Sequence, residues 1–307
     1  MKASIIIRSK NEERCIGEVL QQVVTQELAD SYEVIVLDSG SQDRTLDIVR
    51  RFPVQVERVQ PEKFTFGYAL NYGAALARGE YIIFLSAHCA PCHHLWLWEL
   101  IAPLESDATI AATYGQQKPR TGVNLFEERE LREAYTLRKD NTVRAPFSNA
   151  NSALRRQVVL RHPFDETIPL GEDFLWAYTL PASYKVRYVH TAAVLHSHPP
   201  RLRYWRQRWY NEGLMVQYLA QVHSAPDPWA NKTPQVKSIM KRNAFKRIGL
   251  DMQALWQQRA LCAMCRYPFY LFNRIYFYKK GQRDGQRRYS PPNLARPNLT
   301  SIKNEII

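Results

Sequence analysis

The chain has 307 residues, 45% of them apolar, which supports a large buried core and excludes global disorder. Five cysteines are an odd number for a disulfide framework and read as reduced thiols, and no uncharged apolar run reaches the ~18 residues that a membrane-spanning helix needs. The net charge of +13 is uneven: residues 201–307 hold 20 Lys/Arg and 5 Asp/Glu, a net of +15, whereas residues 1–200 hold 22 and 24, a net of −2, so the tail calls for an anionic partner such as nucleic acid, phospholipid head groups or a phosphorylated lipid.

From Met1 the chain enters a strand-like run, Ser4–Ile7, that Arg8 ends; this is too short for a signal peptide. A helical stretch from Cys15 to Thr25 follows, then a strand over Tyr32–Leu37 and a helix over Arg44–Arg51 with Ser41 as its N-cap. Val54–Val59 alternates. Ala69–Ala77 reads as a helix closed by Gly79 at C′. Tyr81–Leu85 is a strand, Leu95–Leu104 a helix and Ile110–Tyr114 a strand. Strand and helix in alternation imply right-handed crossovers and an α/β fold with a mainly parallel sheet, covered by helices on both faces.

The polar residues gather at the strand ends, where such sheets bind ligands. The loop Arg8-Ser9-Lys10-Asn11-Glu12-Glu13 lacks a G-x-G-x-x-G pattern, which argues against a dinucleotide-binding half. The second strand ends in Asp38-Ser39-Gly40, suited either to a ribose or base edge or to an Asx-turn before a helix. The strand Tyr81–Leu85 becomes Ser86-Ala87-His88 within three residues, and Pro91 stops any further ladder.

Residues 120–144 are polar and helical in pattern, and Phe147–Ser152 reads as a strand with Asn149 and Asn151 on one face. Glu172 and Asp173 open an apolar helical run containing Trp176. They either stabilise its N-terminal end or include a general base. Two strand-like pieces, Val186–Val189 and Ala193–Leu195, lead into His196-Ser197-His198. In extended chain both imidazoles face one way, and with His88 they suit an ion or anion; the alternative is a solvated pair.

The tail opens with the basic and aromatic run Arg201–Tyr210. A helical segment then carries Phe245, Ile248, Met252 and Leu255 on one face, with Lys237, Lys241, Arg242, Lys246 and Arg247 mainly elsewhere. Phe269, Tyr270, Phe272, Tyr276, Phe277 and Tyr278 follow, with Arg274 among them and Lys279-Lys280 after them. Such segments either lie in a membrane interface or pack as ordinary core.

Taken in order, Ser4–Glu13, Val34–Thr45, Phe66–Gly73, Gly79–Pro91, Asn149–Asn151, Pro163–Trp176 and His196–His198 resemble a bacterial family-2 glycosyltransferase of GT-A fold. The closest pattern is the rhamnosyltransferase-like branch of surface polysaccharide assembly. The resemblance implies a GT-A domain over residues 1–215 and a basic, aromatic helical region over 216–307 for membrane-surface or acceptor contact. It places nucleotide binding on Arg8, Ser9, Asn11, Glu12, Asp38, Ser39, Gly40, Asn71 and Ser86. It places the catalytic acids on Glu172 and Asp173, with Asp173 the usual base, and acceptor contacts on Asn149, Asn151 and Trp176. The family's D-x-D falls on Ser86-Ala87-His88, with both acids replaced, and its C-terminal metal or phosphate histidine falls on His196 or His198.

Two cofactor readings follow. Either His88 and a second histidine hold a divalent cation, Mn²⁺ in preference to Mg²⁺, or cationic groups neutralise the diphosphate without metal. The implied function is inverting transfer of a sugar from a nucleotide-diphosphate donor to a glycan or polyprenyl-linked acceptor. The implied place is the cytoplasm, peripheral on the inner face of the membrane, with no nucleic-acid partner. Two alternatives stand beside it: a non-catalytic sugar-nucleotide-binding protein, and a Zn-dependent basic nucleic-acid-binding module using Cys89-x-x-Cys92 and Cys262-x-x-Cys265.

Overall fold

The computed structural model describes residues 1–123, 125–135, 147–198, 201–222, 252–253, 255–256 and 261–289. The helical face expected around Phe245 and Ile248, with its lysines and arginines, lies outside the described residues. The chain divides into two compact units, Met1–His198 and Pro199–Ile307.

The first unit is built on one eight-stranded sheet in the order β3-β2-β1-β4-β7-β6-β8-β5. The strands are β1 (Ala3–Ser9), β2 (Tyr32–Asp38), β3 (Gln55–Arg58), β4 (Tyr81–Ser86), β5 (Cys89–Pro91), β6 (Ile110–Pro119), β7 (Asn151–Arg155) and β8 (Lys185–His196). β3, β2, β1 and β4 run parallel, as do β6 and β8. β7 is antiparallel to both β4 and β6, and the short β5 is antiparallel to β8. The expected α/β sheet with helices on both faces is present, and it is mainly parallel.

Period-two alternation explains why both faces are covered. In β1, Ala3, Ile5 and Ile7 point into one core with α1 (Ile16–Val24) and α4 (Trp96–Ser106), while Ile6 joins the other with α3 (Phe66–Leu76). β4 repeats this: Tyr81, Ile83 and Leu85 on one side, Ile82 and Phe84 on the other. Each of these side chains is essentially fully buried, an arrangement that stabilises by about 1.5–3 kcal/mol per large apolar side chain. A charge at any of them would have no such outlet, so the polar residues are confined to strand ends.

Four local expectations are corrected. Helix α2 spans only Thr45–Val49, and Ser41 does not cap it. Ser41 Oγ accepts the Asn11 N–H instead, while Asp43 accepts the Thr45 N–H at 3.0 Å. Gly79 lies beyond the cap of α3, which is Ala77; a Cβ there would stand 2.4 Å from the Ala3 carbonyl carbon, so close backbone approach is what requires glycine. Residues 149–150 form a turn, and β7 starts only at Asn151, so Asn149 and Asn151 do not share a strand face. Finally, β8 is one continuous strand: its pairing with β6 passes from Gly115↔Val189 to Gln117↔Val194, so the polar His190-Thr191 fall in the bulge between two paired stretches.

In the second unit, α8 (Leu202–Val222) packs on α9 (Leu261–Arg288). α8 runs unbroken through residue 215, where the division into two regions was expected. Trp205, Trp209, Leu214, Tyr218 and Leu219 are buried, so the two tryptophans of the 201–210 run serve as interior, while Tyr204 and Tyr210 are half-buried. Arg206 Nε donates to Asn273 Oδ1 at 2.7 Å and Tyr210 donates to Asp284 at 3.1 Å. No helix among the described residues is long and apolar enough to cross a membrane.

Asn151 ties three elements of the first unit together. Its Nδ2 donates to the Ala192 and Gln116 carbonyls at 2.9 and 3.3 Å, and its Oδ1 accepts the Trp96 indole N–H at 2.9 Å. Asn151→Leu strands all three partners in a site with no solvent. At about 1–3 kcal/mol per buried orphan, the variant should lose about 3 kcal/mol or more, read from the midpoint of urea unfolding.

Candidate active site

Three strands end side by side. Arg8 is in register with Ser86, and Ser9 with Asp38. The loops that follow β1 and β2 then interlock. Ser39 N–H donates to the Ser9 carbonyl at 3.0 Å, Gln42 N–H to Asn11 Oδ1 at 2.8 Å, and Glu12 N–H to Thr45 Oγ1 at 2.7 Å. Asn11 sits at φ 54, a left-handed conformation that asparagine tolerates better than most side chains. Asp38 Oδ2 accepts the N–H groups of Gly40 and Ser41, each at 3.0 Å, which makes the Asx-turn. Its other oxygen remains buried with no hydrogen-bond partner among the described residues.

The opposite wall comes from the turn at Asn149 and from α7 (Glu172–Thr179), which starts after Gly171 at φ 86. Arg8 reaches across to it. Its Nη1 lies 3.6 Å from Glu172 Oε1 and its Nη2 3.4 Å from the Asn149 carbonyl, with the Phe66 ring 5.5 Å from the guanidinium. Asp173 accepts the N–H groups of Asn149 (3.1 Å) and Phe174 (2.8 Å). Burial pushes both carboxyls above their ordinary values. The charge of Asp173 adds to the rise at Glu172, while Arg8 opposes it at both. Glu172 is buried, whereas Asp173 keeps some exposure.

The third component is a set of imidazoles. His88 follows the end of β4, His196 closes β8 and His198 lies two residues beyond it. The rings of His88 and His196 stack at 5.1 Å, and that of His198 lies 5.1 Å from His88 and 4.4 Å from His196. His88 Nδ1 is 2.8 Å from Glu12 Oε1, and His198 Nδ1 is 2.7 Å from Glu127 Oε1, which also accepts the His198 backbone N–H at 2.8 Å. Potential ligand atoms of His88, His196 and Cys89 lie within 4.8 Å of one another. Cys89 is fully buried, and burial pushes its thiol far above the ordinary value.

The expected residues thus fall into two groups. Arg8, Ser9, Asn11, Glu12, Asp38, Ser39, Gly40, Ser86, Asn149, Glu172 and Asp173 lie at these strand ends and loops, and His88, His196 and His198 form the adjoining cluster. Asn71, Asn151 and Trp176 are committed to the framework. Asn71 binds the N–H and carbonyl of Phe164, each at 2.9 Å, and Glu166 at 2.8 Å. Trp176 packs between Phe147 and Phe164 and donates to the His162 carbonyl at 2.6 Å. Glu127 escaped the sequence reading because α5 (Leu125–Ala134) carries four glutamates. The one available signal is that Glu127 shares a helix face with Leu131, four residues on, and both are buried. Among the described residues Cys15, Cys89, Cys92 and Cys265 are free thiols, Cys89 buried and Cys92 exposed.

Five buried polar atoms at the strand ends have no hydrogen-bond partner among the described residues: Arg8 Nε and Nη1, Ser9 Oγ, Asp38 Oδ1 and Asn149 Nδ2. Buried polar groups are ordinarily satisfied, so these five atoms are open to a polar ligand.

The model of the family described as "Glycosyl transferase family 2" matches residues 4–162. The O-antigen chain rhamnosyltransferase WbaN of Salmonella anatum is 28% identical over 272 residues, covering 76% of this chain and 83% of that protein. The O-antigen chain rhamnosyltransferase RfbN of Salmonella typhimurium is 27% identical over 305 residues, covering 87% and 94%. Among solved structures, the mannosyltransferase PcManGT of Pyrobaculum calidifontis, in complex with GDP-Man and Mn²⁺, aligns with TM-score 0.54 and 17% identity over 99% of this chain and 85% of that one. At that identity the likeness speaks for the fold, which is of GT-A type.

The carboxyl pair carries a pH signature. Both acids hold protons more tightly folded than unfolded, so stability falls as pH rises from the ordinary carboxylate range through the raised values. Glu172→Gln removes the larger contribution. The urea midpoint of the variant should gain on the parent protein between about pH 5 and about pH 8, and a parallel pair of curves would refute the assignment.

Proposed function

The chain belongs to glycosyl transferase family 2, and from that membership we propose that it transfers a sugar, with inversion, from a nucleotide-diphosphate donor to a hydroxyl of a surface-polysaccharide acceptor. The observation that carries this reading is the cluster of five buried polar atoms without a hydrogen-bond partner among the described residues, beside a carboxyl pair and three imidazoles. Asp38 Oδ1 accepts from a ribose hydroxyl or base edge. Arg8 and Asn149 Nδ2 donate to the diphosphate or the sugar. Ser9, Asn11, Ser39, Gly40 and Ser86 line the nucleotide's path. The O-antigen chain rhamnosyltransferase relatives support a rhamnosyl donor; the reading takes the acceptor to be a lipid-linked glycan at the inner face of the cytoplasmic membrane.

Asp173 is the base. It is the more accessible of the two acids, and backbone N–H groups hold both its oxygens in place. Its raised pKa increases its basicity toward an acceptor hydroxyl. It takes that proton as the hydroxyl oxygen attacks the anomeric carbon on the face away from the leaving diphosphate, which inverts the centre. Glu172, buried against Arg8, sets the guanidinium in position rather than moving protons.

The residues present fit a divalent cation. Glu12 and Glu127 each engage the Nδ1 of a histidine in the cluster, the arrangement by which carboxylates orient ligating imidazoles toward Nε2. An imidazole set suits Mn²⁺ better than Mg²⁺. When bound, such an ion supplies positive charge to the departing diphosphate.

Asp173→Asn should lower turnover of the donor by about 10²- to 10⁴-fold while leaving nucleotide affinity within error, measured by product release and calorimetry. Equal loss of binding would show instead that Asp173 holds the donor. Glu127→Gln should weaken Mn²⁺ binding by about 10- to 100-fold, read from the paramagnetic signal of free Mn²⁺. Unchanged affinity would remove the imidazole cluster from metal binding.

A further inference from the structure

We propose that Cys89, with His88 and His196, forms a site for a thiophilic divalent cation of the Zn²⁺ class, which displaces Mn²⁺ from the imidazole cluster. The displacement rests on the reading of that cluster as the cation site; the thiol site itself does not. Among the described residues, these three are the one group of His, Cys, Asp and Glu whose ligand atoms converge, within 4.8 Å of one another. Strand register puts them there. β5 and β8 pair antiparallel with Cys89 opposite His196, and residues directly opposite each other project from the same face. His88, one residue before Cys89, closes the set from the more exposed side, with its side chain 19% accessible.

The chemistry of the donors decides the ion. Two imidazoles and a thiolate suit Zn²⁺ in tetrahedral geometry, whereas carboxylate, carbonyl and water oxygens suit Mn²⁺. The sulfur gives its proton to solvent as the metal–sulfur bond forms. Glu12 Oε1 engages His88 Nδ1 at 2.8 Å, which leaves Nε2 for the ion. The rings of His88 and His196 lie within 13° of parallel, so their in-plane lone pairs meet at one ion only after His88, the less buried, turns. Ligand atoms of a tetrahedral site stand about 3.5 Å apart, so that turn draws the set together by about 1 Å. Nitrogen and oxygen sites in general bind Zn²⁺ more tightly than Mn²⁺, so the bound thiolate, and not the preference alone, identifies this site.

The test loads the purified full-length protein with Co²⁺, a spectroscopic substitute for Zn²⁺. Separately, it titrates the Mn²⁺-loaded protein with Zn²⁺ while the paramagnetic signal of free Mn²⁺ is followed. A thiolate-to-cobalt charge-transfer band should appear in the near ultraviolet, Zn²⁺ should abolish it, and stoichiometric Zn²⁺ should release the bound Mn²⁺. Cys89→Ser should remove the band and weaken Zn²⁺ against Mn²⁺ by about tenfold or more, since even changes outside the ligand set cost that much. Cys92→Ser, at an exposed thiol, should keep the band. A parent protein without the band, persistence of the band in Cys89→Ser, its loss in Cys92→Ser, or Zn²⁺ that binds without releasing bound Mn²⁺ would overturn the proposal. Neither arm uses donor or acceptor. The band in a protein that holds no Mn²⁺ would support the thiol site and end the Mn²⁺ reading alone.

Discussion

A guanidinium buried at the end of the central strand is the constraint that the first unit has to accommodate. Arg8 leaves the apolar run of β1 at the point where burial is still nearly complete, so its charge cannot be hydrated there. Removing a charge from water costs several kcal/mol unless partners replace the solvent. Glu172 supplies one, at 3.6 Å, and the Asn149 carbonyl another, at 3.4 Å. These contacts draw the start of α7 and the turn before β7 toward the ends of β1 and β4. The compensation is incomplete, since two of the guanidinium nitrogens lack hydrogen bonds among the described residues. An incompletely satisfied cation beside two carboxyls of raised pKa is a poor way to gain stability. Under the proposed reading it is a prepared electrostatic environment for an anionic donor.

The imidazole cluster follows from the same economy of space. With no acid in Ser86-Ala87-His88, negative charge is supplied from a distance, by Glu12 on the loop after β1 and Glu127 on α5. The Glu12 N–H is also held by Thr45, so the histidine beside β4 is linked through one residue to the loop that frames Asp38. In the proposed mechanism this makes the nucleotide loop and the cation site parts of one hydrogen-bonded assembly.

Much of this was legible residue by residue. The parallel half of the sheet, the helices at Ile16–Val24 and Trp96–Ser106, and the placing of Asp38 and His88 at strand ends and of Glu172 and Asp173 at a helix start all follow from apolar periodicity interrupted by polar residues. Other features were not. Asn149 and Asn151 are two apart and look alike in sequence, yet one is a turn residue whose amide nitrogen has no hydrogen-bond partner among the described residues and the other is bonded on three sides in the interior. Trp176 and Asn71 lie in motifs of the family pattern but hold the framework.

What the sequence by itself determined is where polar chemistry can exist: period-two burial leaves only strand ends and loops for charge, and that holds whatever the strands' neighbours are. Which of those groups meet was decided only by tertiary structure. Glu127 finds His198 across 71 positions of chain, and Arg8 finds Glu172 across 164, because the insertion of β7 between β4 and β6 and the crossing of β8 bring those segments to one edge. Local propensity carries no information about pairing at that separation. The partners are set by which strands share a ladder, and that is a property of the whole sheet.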